Sequence, residues 1–262
     1  MKNDTRSTRG KALKIIAIAI GALAVMFLLS FVSTLSLKTN GMKEQKGEYI
    51  TVYYETEETA AMDVFELANT ESARIAKALG LDDAQDIRMY IYDRQSTFQT
   101  KKYGLIASFL NLDWYVGDNR GTDVLLTSPA NPGPVHSYDE NRAASIHEMV
   151  HAYNSIVNKN MPLWINEGIA LYLTNGDSRR DLYITSYSVP SLEQTHTSNP
   201  VKFSNMGGYD FAHTYIEYLD KAYGWDRVVA LARSSDYIET FDKDESEIYV
   251  EWIEFLKENY SG

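Results

Sequence analysis

The chain has 262 residues, a net charge of −11 at neutral pH and no cysteine. The lack of cysteine excludes disulfide frameworks, thiolate zinc sites, iron–sulfur clusters and cysteine nucleophiles. The negative charge argues against a nucleic-acid partner, because a phosphate backbone is bound by basic surfaces. Any metal ion must therefore be held by histidine, aspartate or glutamate, and the chain has only five histidines.

The N-terminus has the pattern of a membrane anchor. Residues 15–37 carry no charge, and as a helix they are long enough to cross roughly 30 Å of hydrocarbon. Five basic residues and one acidic residue precede this segment, and they outnumber the three lysines that closely follow it. We therefore expect a cytoplasmic tail over residues 1–14, a transmembrane signal anchor over 15–37, and the remainder of the chain outside the cytoplasm at the cell membrane.

A cleaved signal peptide is the alternative, since the apolar stretch from Ile15 to Leu29 also suits the core of a secretion signal. Cleavage would release a secreted protein. An A-x-A-like cleavage site is missing from the sequence, and Ser33, Thr34 and Ser36 make only a weak one. The pattern favours an anchor that is retained.

The remaining sequence predicts an α+β fold. A polar stalk over 38–48 leads into a domain over 49–258, which a proline- and glycine-rich stretch divides into lobes of about 49–134 and 135–258. Predicted strands lie at 50–54, 87–92, 114–116 and 124–127, with helices at 61–79 and after Asp93. Predicted helices of the second lobe lie at 139–157, 163–174, 208–223, 225–234 and 243–258. Strands followed by helices indicate a small α/β lobe with a short mixed sheet, then a mainly helical lobe.

The main candidates for metal binding and catalysis lie in the helix predicted at 139–157. It contains His147, Glu148 and His151 in an H-E-x-x-H motif. Positions i and i+4 share one helix face, so both imidazoles can reach one metal ion, while Glu148 is turned about 100° away and is placed to act on a water molecule. The alternative is a pair of ordinary core or surface histidines on an amphipathic helix.

The next helix offers a third ligand. Glu167 lies in its first turn, after a turn-forming stretch, and Gly168 beside it permits close packing. A catalytic site of two histidines and one glutamate needs such a ligand from a separate element. The alternative for Glu167 is a favourable interaction with the helix dipole.

The H-E-x-x-H motif, combined with N-E-G-x-A-x-Y at 166–172, resembles the gluzincin metallopeptidases of the peptidase MA type. The resemblance implies a zincin-type catalytic lobe, zinc (Zn²⁺) bound by His147, His151 and Glu167, and peptide hydrolysis by a zinc-bound water that Glu148 activates. The G-x-M-E-N segment of the aminopeptidases is missing, which favours an endopeptidase. Asn154 and Val157 occupy the positions of the metzincin glycine and third histidine, which excludes that pattern.

A tetrahedral oxyanion needs a donor besides the metal. Tyr209 is the first candidate because it follows Gly207 and Gly208 at the start of a helix, and His213 is the second because it lies one turn farther on the same face. The alternative is that both side chains merely pack, as most of the 19 tyrosines must.

The sequence predicts a peptide or protein substrate, with the edge strand at 124–127 binding it in extended form. Two other functions stay open. One is a catalytically inactive peptidase-like fold that serves as a binding module, and the other is a zinc hydrolase of a non-peptide amide bond. The sequence indicates no oligomeric state.

Overall fold

A mixed α+β fold forms in the computed structural model, which describes residues 4–81, 85–109, 112–175 and 188–260. The strands are β1 (Lys43–Lys46), β2 (Ile50–Tyr54), β3 (Ile87–Tyr92), β4 (Gly117–Arg120) and β5 (Asp123–Thr127). The first helices are α1 (Asp4–Ser30), α2 (Glu58–Ala78), α3 (Gln95–Tyr103), α4 (Tyr138–Val157) and α5 (Leu163–Asn175). The later helices are α6 (Leu192–Thr195), α7 (Pro200–Asn205), α8 (Gly208–Tyr223), α9 (Trp225–Ser234), α10 (Tyr237–Phe241) and α11 (Glu245–Tyr260).

The strands form one mixed sheet in the order β1-β2-β3-β5-β4. The three central strands are parallel, and β1 and β4 are antiparallel edge strands. Central parallel strands are covered on both faces, which explains their continuous apolar runs, such as Val124, Leu125 and Leu126 of β5, all buried. The prediction of a short mixed sheet in an α+β fold is confirmed.

Both edges of the sheet differ from the sequence prediction. Strand β1 lies inside the stretch assigned to the stalk, 38–48, and its four polar residues pair with β2 without any apolar alternation that could reveal a strand. The strand predicted at 114–116 begins instead at Gly117. The assignment of 124–127 as the edge is wrong, because the hairpin from β4 to β5 leaves β4 outermost.

The helices that carry the predicted site pack on one face of the sheet. Helix α4 contacts α2, β4, β5 and α5, and α5 in turn contacts α8. The N-terminus of α4 is fixed by a capping box, in which Ser137 accepts from the Glu140 backbone N–H and the Glu140 carboxylate accepts from that of Ser137. Met149, Val150 and Tyr153 are buried, so α4 is held by its apolar side.

The N-terminal helix α1 stands apart from this core. Residues Leu13–Leu35 are long and apolar enough to cross a membrane, and none of the residues in their most apolar window is buried. By length and composition, such a helix could be a membrane span or a signal sequence. It begins at Asp4, within the predicted cytoplasmic tail, and is followed by a 3₁₀ helix at Val32–Leu35.

Candidate metal centre

The two histidines of the motif face each other on α4. Their Nε2 atoms are 3.0 Å apart, and the rings meet edge to face with centroids 4.6 Å apart. One helical turn separates His147 from His151, which is why the two rings lie on the same side of the helix. The i, i+4 spacing of His147 and His151 therefore places two imidazole nitrogens close enough to bind the same metal ion.

Helix α5 brings Glu167 to the same point. Its Oε2 atom lies 3.3 Å from Nε2 of His147 and 3.4 Å from Nε2 of His151. This oxygen is buried, and none of the described residues donates a hydrogen bond to it. His147, His151 and Glu167 are thus a group that could hold a metal ion.

The shape of this group fits a small tetrahedral ion. Ligands about 2.0–2.1 Å from a tetrahedral metal lie roughly 3.3 Å from one another. The three interatomic distances, 3.0, 3.3 and 3.4 Å, describe a nearly equilateral triangle of that size. The geometry therefore fits a three-ligand metal site. An incidental cluster of polar side chains would not be expected to match these distances.

The charges of the group also favour a cation. Burial alone would raise the pKa of Glu167, but the two imidazoles hold it well below its usual value. Burial would lower the pKa of His151, yet the Glu167 carboxylate raises it to about 9. Without a metal, the Glu167 carboxylate is therefore ionised, and its negative charge between two imidazoles favours a bound cation.

Two asparagines orient His151, and the sequence analysis did not assign them a role. Oδ1 of Asn166 lies 3.1 Å from Nδ1 of His151 and 2.8 Å from Nδ2 of Asn154. Since the amide oxygen can only accept, Nδ1 of His151 must donate, so Nε2, which faces Glu167 and His147, is the nitrogen left to bind a metal ion. The signal in the sequence was the asparagine that immediately precedes Glu167.

Close packing of α5 on α8 sets the position of Glu167. A Cβ atom at Gly168 would lie 2.5 Å from the Ala212 carbonyl oxygen and 2.7 Å from Cγ1 of Ile216. Because the first of these contacts is with backbone, the helices can approach only where α5 has no side chain. Gly168 does permit close packing, and its neighbour is helix α8.

We expect Gly168→Ala to push α5 away from α8 and to destabilise the protein by about 1–3 kcal/mol. Glu167 would move with the helix, so metal affinity should also fall. Thermal unfolding and metal content of the full-length protein in detergent measure the two effects. Gly21→Ala is the control, because a Cβ there has no neighbour within 4 Å. Equal melting temperatures for both variants would contradict the packing argument.

Glu148 is not one of the three grouped residues. Its side chain lies against β4, where a Cβ at Gly117 would be 2.9 Å from Cγ and 3.1 Å from Oε1 of Glu148. Burial, helped by the charges of Asp118 and Glu167 and opposed by the charge of His151, raises the pKa of Glu148 to about 8. A carboxyl group with this pKa can both accept and donate a proton near neutral pH.

A second carboxylate lies near Glu148 and was not predicted from the sequence. Asp118 of β4 forms an ion pair with Lys102 of α3, with Oδ2 2.6 Å from Nζ. Burial raises the pKa of Asp118, although Lys102 lowers it in part. The sequence did not indicate a role for Asp118, because its proximity to Glu148 depends on where β4 begins.

The two oxyanion candidates lie in different surroundings. Burial raises the pKa of Tyr209, and the charges of Glu167 and Glu148 raise it further. His213 is only 1% exposed, with its ring centroid 5.6 Å from that of Tyr172 on α5. Tyr209 is therefore the candidate with an electrostatic link to the site, whereas an oxyanion role for His213 stays a prediction from the sequence.

Comparison with family models, curated proteins and solved structures gave no match to this chain. The functional conclusion depends on the residues of the site.

Proposed function

We propose that the protein is a membrane-anchored zinc metallopeptidase whose catalytic domain faces away from the cytoplasm. The observation that carries the proposal is the triangle of His147, His151 and Glu167 with a half-buried carboxyl group, Glu148, that is not part of the triangle. Three ligands and a separate base are what hydrolysis at a catalytic zinc site requires. The proposal includes a zincin-type catalytic lobe of the gluzincin kind.

Zinc is the metal that best suits this donor set. Two imidazole nitrogens and one carboxylate oxygen in a small triangle match a catalytic zinc site, whereas calcium and magnesium prefer sites built from oxygen ligands. When bound, zinc would act as a Lewis acid toward a carbonyl group and toward water. His147, His151 and Glu167 would hold it, and Asn166 would keep the His151 ring in the orientation for binding.

Glu148 would move the protons of the reaction. Its carboxylate form would accept a proton from the attacking water, and its acid form would deliver that proton to the leaving amine. The burial that raises its pKa to about 8 makes both forms accessible near neutral pH. Asp118 and Lys102 would add a fixed pair of charges behind it.

Tyr209 would supply a hydrogen bond to the developing oxyanion. Its raised pKa keeps the phenol protonated, so the hydroxyl group can donate. Packing of its ring edge to face against Phe203, with centroids 5.0 Å apart, limits the motion of the side chain. A fixed donor costs little reorganisation when the charge develops.

The edge of the sheet supports a peptide substrate over other amides. Strand β4 pairs with β5 on one side, and among the described residues no strand pairs with its other side. An extended peptide can add to such an edge through backbone hydrogen bonds. Because Gly117 of β4 lies against Glu148, a peptide bound there would lie beside the proposed base.

The test is hydrolysis of a fluorogenic peptide library by the full-length protein in detergent, before and after removal of metal. We expect a chelator such as 1,10-phenanthroline to abolish cleavage. In the proposed mechanism, His147, His151 and Glu167 only hold the zinc and cannot hydrolyse a peptide without it. Readdition of zinc should restore cleavage, and readdition of magnesium should not. Stoichiometric zinc without cleavage of any peptide would instead favour the binding module.

A further inference from the structure

Five exposed apolar side chains lie where α1 meets the folded domain. We call them the membrane-proximal surface: Val32 and Leu35 of the first 3₁₀ helix, and Leu105, Ile106 and Phe109 of a second one at Gly104–Phe109. Leu35 is 83% exposed and Phe109 is 86% exposed. The two 3₁₀ helices contact each other, and the second also contacts α1, so the apolar side chains belong to one region.

The end of α1 lies directly against the second 3₁₀ helix. A Cβ at Gly104 would be 2.5 Å from the Ser30 carbonyl oxygen and 3.2 Å from the Phe31 ring. Gly104 also has a φ of 76°, which favours glycine. The apolar helix and the apolar turn are therefore neighbours through backbone contact.

Hydrogen bonds fix the chain that leaves α1 to the domain. Ser33 Oγ donates to the Thr100 carbonyl oxygen at 3.1 Å, and Arg120 Nη1 donates to that of Thr34 at 2.7 Å. The Lys101 ammonium group donates to the carbonyl oxygen of Ser36 at 2.6 Å. These contacts leave no free stalk between α1 and the domain, so the orientation of the domain is set by that of α1.

We propose that the membrane-proximal surface lies in the interface of the bilayer that α1 crosses. Exposed apolar side chains next to a membrane-spanning helix gain free energy when they leave water for the lipid boundary. Lys101 and Arg120, which border the surface, then lie at the level of the lipid headgroups. The occupant of this surface is the lipid bilayer itself.

This docking places the metal centre close to the lipid. Strand β4 extends from Gly117, which lies against Glu148, to Arg120, which donates to Thr34 in the 3₁₀ helix that follows α1. Three residue steps along a strand cover about 10 Å. The edge that would bind a peptide thus begins at the membrane surface, and, if the proposed peptidase function holds, the substrates are polypeptide segments held close to that surface.

The docking can be tested without any activity. Because the chain has no cysteine, Phe109→Cys gives a single site for a polarity-sensitive fluorophore in the full-length protein. In vesicles of phosphatidylcholine and phosphatidylglycerol, we expect blue-shifted emission that lipids carrying a shallow nitroxide quench. Val250→Cys on α11, also an exposed apolar position, is the matched control and should report water. Equal, water-like emission from both sites, in variants that retain the metal content of the parent, would overturn the docking.

The substrate class is tested in the same vesicles with one peptide presented in three ways. The peptide is free, tethered to lipid by a short spacer, or tethered by a polyproline spacer of about 20 residues, which extends roughly 60 Å. We expect cleavage at least tenfold faster with the short spacer than with the long one. Equal rates for the two tethers would overturn the substrate class but leave the peptidase proposal intact. No cleavage of any form, the free peptide included, would overturn the peptidase proposal, while the fluorophore still decides the docking.

Discussion

Replacing Glu167 or His147 by alanine is expected to abolish stoichiometric metal binding while leaving the protein folded. Each residue supplies one corner of a triangle with edges of 3.0–3.4 Å, so either change leaves only two of the three protein ligands. Loss of an outer hydrogen-bond partner of a ligand already costs about 10–100-fold in metal affinity, and loss of the ligand itself should cost more. Metal content of the full-length protein, measured by mass spectrometry after dialysis against trace zinc, gives the result directly.

A second measurement separates loss of the metal from loss of the fold. Zinc at about 100 times its dissociation constant should stabilise the parent by about 2.7 kcal/mol and raise its melting temperature. Neither variant should respond to zinc, and both should still unfold cooperatively. His196→Ala is the matched control, because His196 is exposed and pairs with Glu245 at 3.0 Å. Zinc retained at one equivalent by the Glu167 variant would show that Glu167 is not a ligand.

The local part of the site could be predicted because it depends on a helical repeat. His147 and His151 are four residues apart, and any α-helix through them places both imidazoles on one face. The position of Glu167 could be predicted less directly, since it requires α5 to pack on α4 and α8 at one height. Gly168 and the turn-forming stretch before the helix were the nearby signs in the sequence of such packing.

The parts that the sequence analysis missed depend on contacts between distant elements. Asn154 and Asn166 can orient the His151 ring only because α4 and α5 lie side by side. Asp118 reaches the surroundings of Glu148 through the register of the β4–β5 hairpin, whereas the strand predicted at 114–116 ends before it. Strand β1 is polar because an edge strand can expose its side chains, so periodicity carried no signal for it.

The same limit explains the unequal support for the two oxyanion candidates. Tyr209 and His213 share a face of α8, and helical spacing alone cannot tell which of them is near a site on another helix. In the folded chain, the charges of Glu148 and Glu167 help to raise the pKa of Tyr209, whereas His213 packs against Tyr172. The sequence could predict which residues share a face of α8, but not how far along α5 each of them would lie.

Glu148→Gln is expected to abolish hydrolysis and to leave the metal bound. Glutamine has the size of glutamate but cannot accept or deliver the proton, and loss of a general acid–base group typically costs about 10²–10⁴-fold in rate. The metal should stay because Glu148 is not among the three grouped residues. Peptide cleavage and zinc content, measured on the same preparation, check both parts of the prediction.

The stability of this variant makes the result decisive. Burial and the nearby carboxylates of Asp118 and Glu167 oppose ionisation of Glu148, so a neutral glutamine resembles the form that its surroundings favour and should not lower the melting temperature. Lost activity could then not be attributed to unfolding. Glu258→Gln, an exposed glutamate on α11, is the control for the chemical change itself and should keep the parental rate. Full activity in the Glu148 variant would remove the base from the proposed mechanism and leave the metal centre without the group that moves its protons.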